Sequence, residues 1–489
     1  MSAEFSQIPS FPKNLAYNLK KLEGSIIKQK LKINADNFSY SAGNIIRMNI
    51  PVGRMIDTRS VVVYAKGSTT VAKTHFPRGG LHSLIEQLQI TANGRNLQTT
   101  NNYNYIWNTL ADLEGYSSLE QASKRITELA DPSIRYTIDT ATAGNSNLKI
   151  VAAVGNADGT GADTDYIFCA NNFLGFFNSS VATFDTNNIG QVQVSFTLAP
   201  ATCLFASGHD TTTQTALTTA VASASYTLKE VFMTLDSITY TNSMYYDLVE
   251  RQLKNDGLNI AYYDYISLAG TVVNKSSGIN YSTQINASSL DQVIATFRPK
   301  NYDTIRPLIL FQSDTNGTTF AEYLANPQAN CNKTGTSILN PDLGDGFNQS
   351  FYYIRAGSGI NNSSWYINSQ PFINQATPIE IFNNTLQALG YNNLDISAGG
   401  LHAGCSSLQH YNKYYFADVL SMENISGDGN WWVSGLNGNG GTIQIQYQAK
   451  FDTWNSIGTS DVADVAPYIF ARVSKILNVK FGRALDLYE

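Results

Sequence analysis

With 489 residues, 43% of them hydrophobic and 11% aromatic, the chain has ample material for sizeable cores. Typical domain lengths divide it into about three, yet two β sandwiches of roughly 200–250 residues would also fill it. Charged residues make up only 14%, against ~25% in ordinary soluble domains, so Asn, Gln, Ser and Thr must supply the polar surface. Such a surface repels itself little and suits a protein packed against many neighbours. Residues 1–32 hold six lysines against two glutamates in a chain of net charge −6, which leaves the remainder more acidic than the whole. An acidic body excludes a nucleic-acid groove and confines polyanion contact to the amino-terminal arm. Met1 is followed by Ser-Ala-Glu-Phe without an apolar stretch, and no run approaches the ~20 apolar residues of a membrane span. A soluble protein made in the cytosol is therefore expected.

The first predicted element is the arm, residues 1–24. After Pro12, Leu15, Leu19 and Leu22 recur at helical spacing. Lys13 precedes them, Lys20 and Lys21 fall near the end, and Gly24 is the stop. The spacing predicts a short amphipathic helix whose basic end matches the helix dipole. It suits either an arm that touches a membrane, genome or minor protein, or a helix docked on its own domain.

From residue 25 strand signals dominate. Gln191 to Leu198 alternates polar and apolar residues without a break, and a longer strand runs from Tyr226 to Tyr240. Period-2 alternation turns one face to a core and the other to water or a partner. Ser243 can cap a helix from Met244 to Asn255, with Tyr245, Leu248, Val249 and Leu253 on one face and Gly257 as its stop. That helix reads as a connector, residues 246–257, between domains at 25–245 and 258–489. Beyond it, Thr442 to Ala449 alternates as Gln191 to Leu198 does, and a second long strand is expected from Tyr468 to Phe481.

The halves echo each other. Asn108-Thr109-Leu110-Ala111-Asp112-Leu113 before Gly115-Tyr116 matches Asn384-Thr385-Leu386-Gln387-Ala388-Leu389 before Gly390-Tyr391. Upstream lie Leu88-Gln89-Ile90 and Tyr366-Ile367-Asn368, and downstream come the glutamine-alternated strands. Met55-Ile56-Asp57 before Val61-Val62-Val63 pairs with Leu290-Asp291 before Val293-Ile294. Their common order in both halves predicts an all-β chain of two sandwiches of the same topology, with differing loops and few, short helices.

On this architecture, on Tyr226 to Tyr246, and on Ser364-Trp365-Tyr366-Ile367-Asn368 followed by Pro378-Ile379-Glu380-Ile381-Phe382, the sequence resembles the double jelly-roll major capsid proteins. That family is known from adenoviruses, virophages and tailless membrane-containing bacteriophages. The resemblance runs from about Ile26 to the end. It implies an all-β fold of two tandem eight-stranded jelly-roll sandwiches with short connecting helices, and a homotrimeric, pseudo-hexagonal capsomer tiling an icosahedral shell in the virion, with no catalytic residues and no cofactor. Its partners would be further copies of the chain and, through Lys13, Leu15, Leu19, Lys20, Lys21 and Leu22, minor capsid proteins or an internal membrane. Sequence-specific nucleic-acid binding is not implied.

Other constellations read as ordinary structure. His402, Cys405 and His410 are half of a zinc site without a second half. Asp158, Asp163 and Asp165 lack the order of a calcium-binding loop and read as solvated, with calcium at a subunit contact as the alternative. Gly435, Gly438, Gly440 and Gly441 precede a strand and not a helix, so they are turn chemistry and no phosphate loop. Gly208-His209-Asp210 has no accompanying nucleophilic serine. Asn-x-Ser/Thr at Asn178, Asn286 and Asn424 is chance composition in an Asn-rich chain. Cys169, Cys203, Cys331 and Cys405 form no C-x-x-C and are expected as free, mostly buried thiols. The alternatives are a jelly-roll carbohydrate-binding adhesin or lectin, for which Trp431 and Trp432 could stack on sugars, and a polysaccharide-acting enzyme.

Overall fold

The computed structural model describes residues 26–71, 74–77, 79–114, 136–139, 147–150, 166–178, 183–208, 223–240, 243–255, 257–305, 307–309, 350–389, 408, 411–412, 415–422, 435–438, 441–452 and 463–488. Sixteen strands and three helices carry the architecture. In the first half they are β1 (Ile26–Asn34), β2 (Ile45–Ile50), β3 (Met55–Thr69), β4 (Ile85–Ala92), β5 (Arg95–Asn101), α1 (Tyr103–Glu114), β6 (Tyr166–Ala170), β7 (Val192–Leu198) and β8 (Tyr226–Tyr240). Helix α2 (Ser243–Asn255) follows. The second half holds β9 (Leu258–Ala269), β10 (Ile279–Asn286), β11 (Ser289–Pro299), β12 (Ile360–Ile367), β13 (Gln370–Ala376), α3 (Pro378–Ala388), β14 (Asp418–Ser421), β15 (Thr442–Phe451) and β16 (Asp464–Lys480).

The first half forms two antiparallel sheets, ordered β1-β8-β3-β6 and β2-β7-β4-β5. The second half forms β9-β16-β11-β14 and β10-β15-β12-β13. Adding eight to every label of the first pair of sheets produces the second pair. Each half is thus an eight-stranded jelly roll, and both have one topology. Shorter strands extend the larger sheets, among them Ala484–Tyr488 on β16. A small sheet joins the halves, in which Phe205–Gly208 pairs with Thr74–His75 and runs parallel to Pro307–Ile309.

Alternation builds these sheets. In β15, Ile443, Ile445, Tyr447 and Ala449 are buried while Gln444, Gln446 and Gln448 are only partly so. In β7, Val192, Val194, Phe196 and Leu198 are buried, with Gln193 and Thr197 partly so and Ser195 buried between them. The second core closes on Phe297, stacked on Phe416 with ring centroids 5.0 Å apart and flanked by Tyr447 and Phe451. Helix α2 ends where Gly257 takes φ +78, a conformation glycine adopts without a Cβ penalty, and donates its N–H to Gln252 O. Helix α3 begins with Thr377, whose N–H and hydroxyl both reach Glu380 Oε2 at 2.7 Å, and with Pro378 in its first turn.

The last long strand starts at Asp464, four residues before the Tyr468 expected from sequence, and ends at Lys480. Pro467 hides that start from a propensity reading, yet its carbonyl still accepts from Gly270 N at 2.7 Å. The echoed six-residue segments fall on α1 and α3, in the same place in each roll. Counted from the first residue of each helix, they are one position out of step.

Candidate assembly interface

The two jelly rolls meet at an interface built from β5 and α1 of the first and β9 of the second. Strand β5, at the edge of its sheet, lies against β9. Tyr262 donates its hydroxyl to Leu97 O at 2.6 Å, Thr100 Oγ1 to Asp264 Oδ1 at 3.2 Å, and Asn102 Nδ2 to Ser267 Oγ at 3.0 Å. Asp264 also pairs with Lys475 at 3.0 Å. Burial pushes its carboxyl above the usual range, with Lys475 opposing.

Helix α1 carries the other half of the contact. Asn104 Nδ2 and the Tyr352 hydroxyl both donate to Glu86 Oε2, at 2.8 and 2.9 Å. Tyr353 bonds across the rolls to Ser83 O. Asp112 and Arg355 form an ion pair of 2.6 Å with both side chains fully buried. Beside it the Arg298 guanidinium, also buried, sits within 3.6 Å of the Tyr302 ring centroid, 4.3 Å of Tyr352 and 4.7 Å of Tyr105. Cation–π contacts of this kind strengthen when water is excluded. Tyr105 bridges both rolls, its ring tilted against those of Tyr468 and Phe470 with centroids 5.6 and 5.8 Å away, and burial pushes its hydroxyl pKa up to about 12. Apolar surfaces tolerate sliding, whereas buried polar groups need their partners in one geometry. This interface therefore makes the two rolls one block.

Sequence reasoning missed Asp112, Arg298 and Arg355. The available signal was their setting: in a chain so poor in charge, Asp112 lies between Ala111 and Leu113 and Arg298 ends an apolar run from Val293.

The smaller sheets turn amides outward. Gln193 Nε2 donates to Asn49 Oδ1 and Gln446 Nε2 to Asn280 Oδ1, each at 3.0 Å, while Thr442 Oγ1 donates to Asn286 Oδ1 at 2.9 Å. The uncharged polar surface expected from composition is located here. A cleft of about 230 Å³ on the first roll is lined by Asn49, Thr91, Asn93, Gly94, Gln191 and Gln193, with no ring on which a sugar could stack. The larger sheet of the first roll instead bears Lys28, Lys30, Lys32 and Lys66, and Ile167 on β6 is 60% exposed.

The arm residues Lys13, Leu15, Leu19, Lys20, Lys21 and Leu22 lie outside the described residues, as do Asp158, Asp163, Asp165, His209, Asp210, His402, Cys405, His410, Trp431, Trp432, Gly440 and Cys331. Cys203 is a buried thiol, which burial makes harder to ionise, and Cys169 is a half-buried thiol; neither is in a disulfide. Gly435 and Gly438 flank a short strand paired with the start of β11, and their N–H groups bond to Ser289 Oγ and Ser288 O. They are turn chemistry, as expected.

No protein-family model matches the chain, and no curated protein matches it. Solved structures do. PBCV-1 VP54, fitted into a cryo-EM reconstruction of the virophage Sputnik, is similar over 95% of this chain and 97% of its own, with a TM-score of 0.58 and 11% identity. The Sputnik virophage structure solved by cryo-EM is similar over 94% of this chain and 88% of its own, with a TM-score of 0.53 and 13% identity. The Faustovirus major capsid protein is similar over 93% and 91%, with a TM-score of 0.51 and 11% identity. The likeness spans both rolls and the connector between them, so what the chain shares with these proteins is the double jelly-roll fold over nearly its whole length.

Proposed function

We propose that this chain is the major capsid protein of an icosahedral virus, acting as a structural subunit and not as an enzyme. Three copies form a pseudo-hexagonal capsomer, and capsomers tile the shell of the virion. The observation that carries this reading is end-to-end likeness to capsid subunits in a chain whose two rolls are locked by buried polar contacts. A tile must transmit load without internal shear, and the Asp112–Arg355 and Arg298–tyrosine contacts resist it. The amino-terminal arm, preceding β1, contacts a minor capsid protein or an internal membrane. Light scattering coupled to gel filtration tests the reading: the expected species is about three times 53.5 kDa, and a monomer at tens of micromolar overturns it. Negative-stain images should show hexagonal particles. A carbohydrate-binding jelly roll would instead give a monomer that is positive on a glycan array.

A further inference from the structure

Helices α1 and α3 occupy the same place in their rolls, each starting two residues after the last residue of the edge strand before it. Their surroundings differ. In α1, residues 103–110, 112 and 113 are all buried. One side lies on its own roll, with Trp107 stacked on His82 and Asn108 bonded to Ser83. The other side meets the second roll through Asn104, Tyr105 and Asp112. In α3 the side toward its own roll is filled by Ile381, Thr385 and Leu386, where Thr385 bonds to the backbone at Ala417 and Val419. Its opposite side is open: Ile379 is 60% exposed, and Glu380, Asn383 and Gln387 are exposed with it. These are the second, third, sixth and tenth residues of α3. The same places in α1 are Asn104, Tyr105, Asn108 and Asp112, and Asn104, Tyr105 and Asp112 are the residues that contact the second roll.

The surface that receives α1 also has a counterpart. Strand β11 is buried at every position, on both faces. In β3, its equivalent, the outward residues Val62, Tyr64, Lys66 and Ser68 are only partly buried. Within the chain, Tyr105 meets Tyr468, which lies opposite Thr296 in the fourth pair from the end of the β11–β16 ladder. The fourth pair from the same end of the β3–β8 ladder is Lys66 with Lys229, and Ile167 extends that row. Tyr64 stacks on Phe232 nearby, under Lys32. Lys66 is held by Glu230 at 2.7 Å and Lys28 by Asp236 at 2.9 Å, while Lys30 and Lys32 add further positive charge to the face.

We infer that the open side of α3 in one copy docks on the outer face of the β1-β8-β3-β6 sheet of a second copy, around Ile167, Lys66 and Lys229. The contact repeats between chains the one that α1 makes within the chain. Glu380 then faces lysines and Ile379 meets Ile167. The two surfaces lie on different rolls, so the contact is heterologous: every copy offers one of each and the chain of contacts must close as a ring. This rests on the trimer reading, in which six rolls from three chains complete the ring.

Ile379→Arg and Ile167→Arg test it, since both positions are exposed and the capping of α3 by Thr377 and Glu380 is untouched. Each variant alone should keep the parent's circular-dichroism spectrum, yet need at least a tenfold higher concentration to form trimers in light scattering. Mixed one to one, they should form dimers, because each retains the surface that the other has lost. A chain carrying Ile379→Cys and Ile167→Cys should cross-link between copies on oxidation, whereas either single variant should not. Variants that remain trimeric, in a protein whose double-cysteine form gives no cross-link, overturn the docking inference and leave the trimer standing. A monomeric parent protein overturns both.

Discussion

Arg355 Nη2 lies 2.6 Å from Asp112 Oδ2, across 243 residues of sequence and between two jelly rolls, with neither side chain exposed to water. Removing one member strands the other charge in a medium that solvates it poorly. Truncating one partner of such a pair typically costs about 3–5 kcal/mol, whereas replacing both with apolar residues is often close to neutral. Arg355→Leu or Asp112→Leu alone should therefore lower urea stability by that amount. The double variant should recover most of it while loosening the two rolls against each other. Stability would be read from the urea midpoint, and the loosening from limited proteolysis between β8 and β9. Additive losses in the double variant would show that the pair is not coupled.

Ile445 and Gln446 are neighbours on β15 with opposite fates. Ile445 is fully buried in the second core, and Gln446 reaches outward to Asn280. Ile445→Asp places an unpaired charge in that core, at a cost of at least several kcal/mol, and should abolish folding. Gln446→Asp should change stability by no more than about 0.5 kcal/mol. Soluble yield and thermal melts compare the two, and equal melts would mean that the register of β15 is wrong.

The same strand shows how much of the fold was legible. Gln191 to Leu198 and Thr442 to Ala449 announced their faces because one side is core and the other is solvent, the condition under which period-2 alternation survives. Strand β11 announced nothing of the kind, since roll packing buries both of its faces and its sequence, Ser289 to Pro299, mixes polar and apolar residues without period. The echo around Asn108 and Asn384 located equivalent helices but not their register. Burial in α1 is imposed from two sides and in α3 from one, so different residues face inward. The inter-roll interface stayed hidden for a related reason. Tyr105, Asp112 and Arg298 are meaningful only once residues hundreds of positions away stand beside them, and no local pattern encodes that.

Strand β1 starts at Ile26 and pairs along its full length with β8. Deleting residues 1–24 removes nothing from that ladder. The truncated protein should melt within a few degrees of the full chain and remain trimeric, yet form closed shells in lower yield, because the deleted segment carries Lys13, Lys20 and Lys21 beside one apolar stripe. Circular dichroism and particle counts decide it. A melt lower by many degrees would mean that the arm packs on its own roll, and normal particle yield would make it a passive tail.

Lys275 gives the molecule a pH dependence that can be isolated. Its side chain is wholly buried at the end of the second roll, donating to Ser358 O at 3.2 Å and Ser358 Oγ at 3.1 Å, with the Phe451 ring centroid 5.4 Å away. Burial lowers its pKa from 10.5 to about 7. The unfolded chain keeps this amine protonated up to its ordinary value, while the folded chain releases the proton above about 7. Between those two values the unfolded state binds more protons, so stability rises with pH across the window and is flat below it. The slope should approach ~1.4 kcal/mol per pH unit, on the order of 5 kcal/mol over the whole shift. Tyrosines begin to ionise near the top of the window, so urea midpoints at pH 6.5, 7.5 and 8.5 are the cleanest comparison. Lys275→Met, which fills a similar volume without an ionisable group, should remove the rise while leaving the other titrations in place. Parallel pH profiles for the two proteins would show that the amine is solvated and charged in the folded chain.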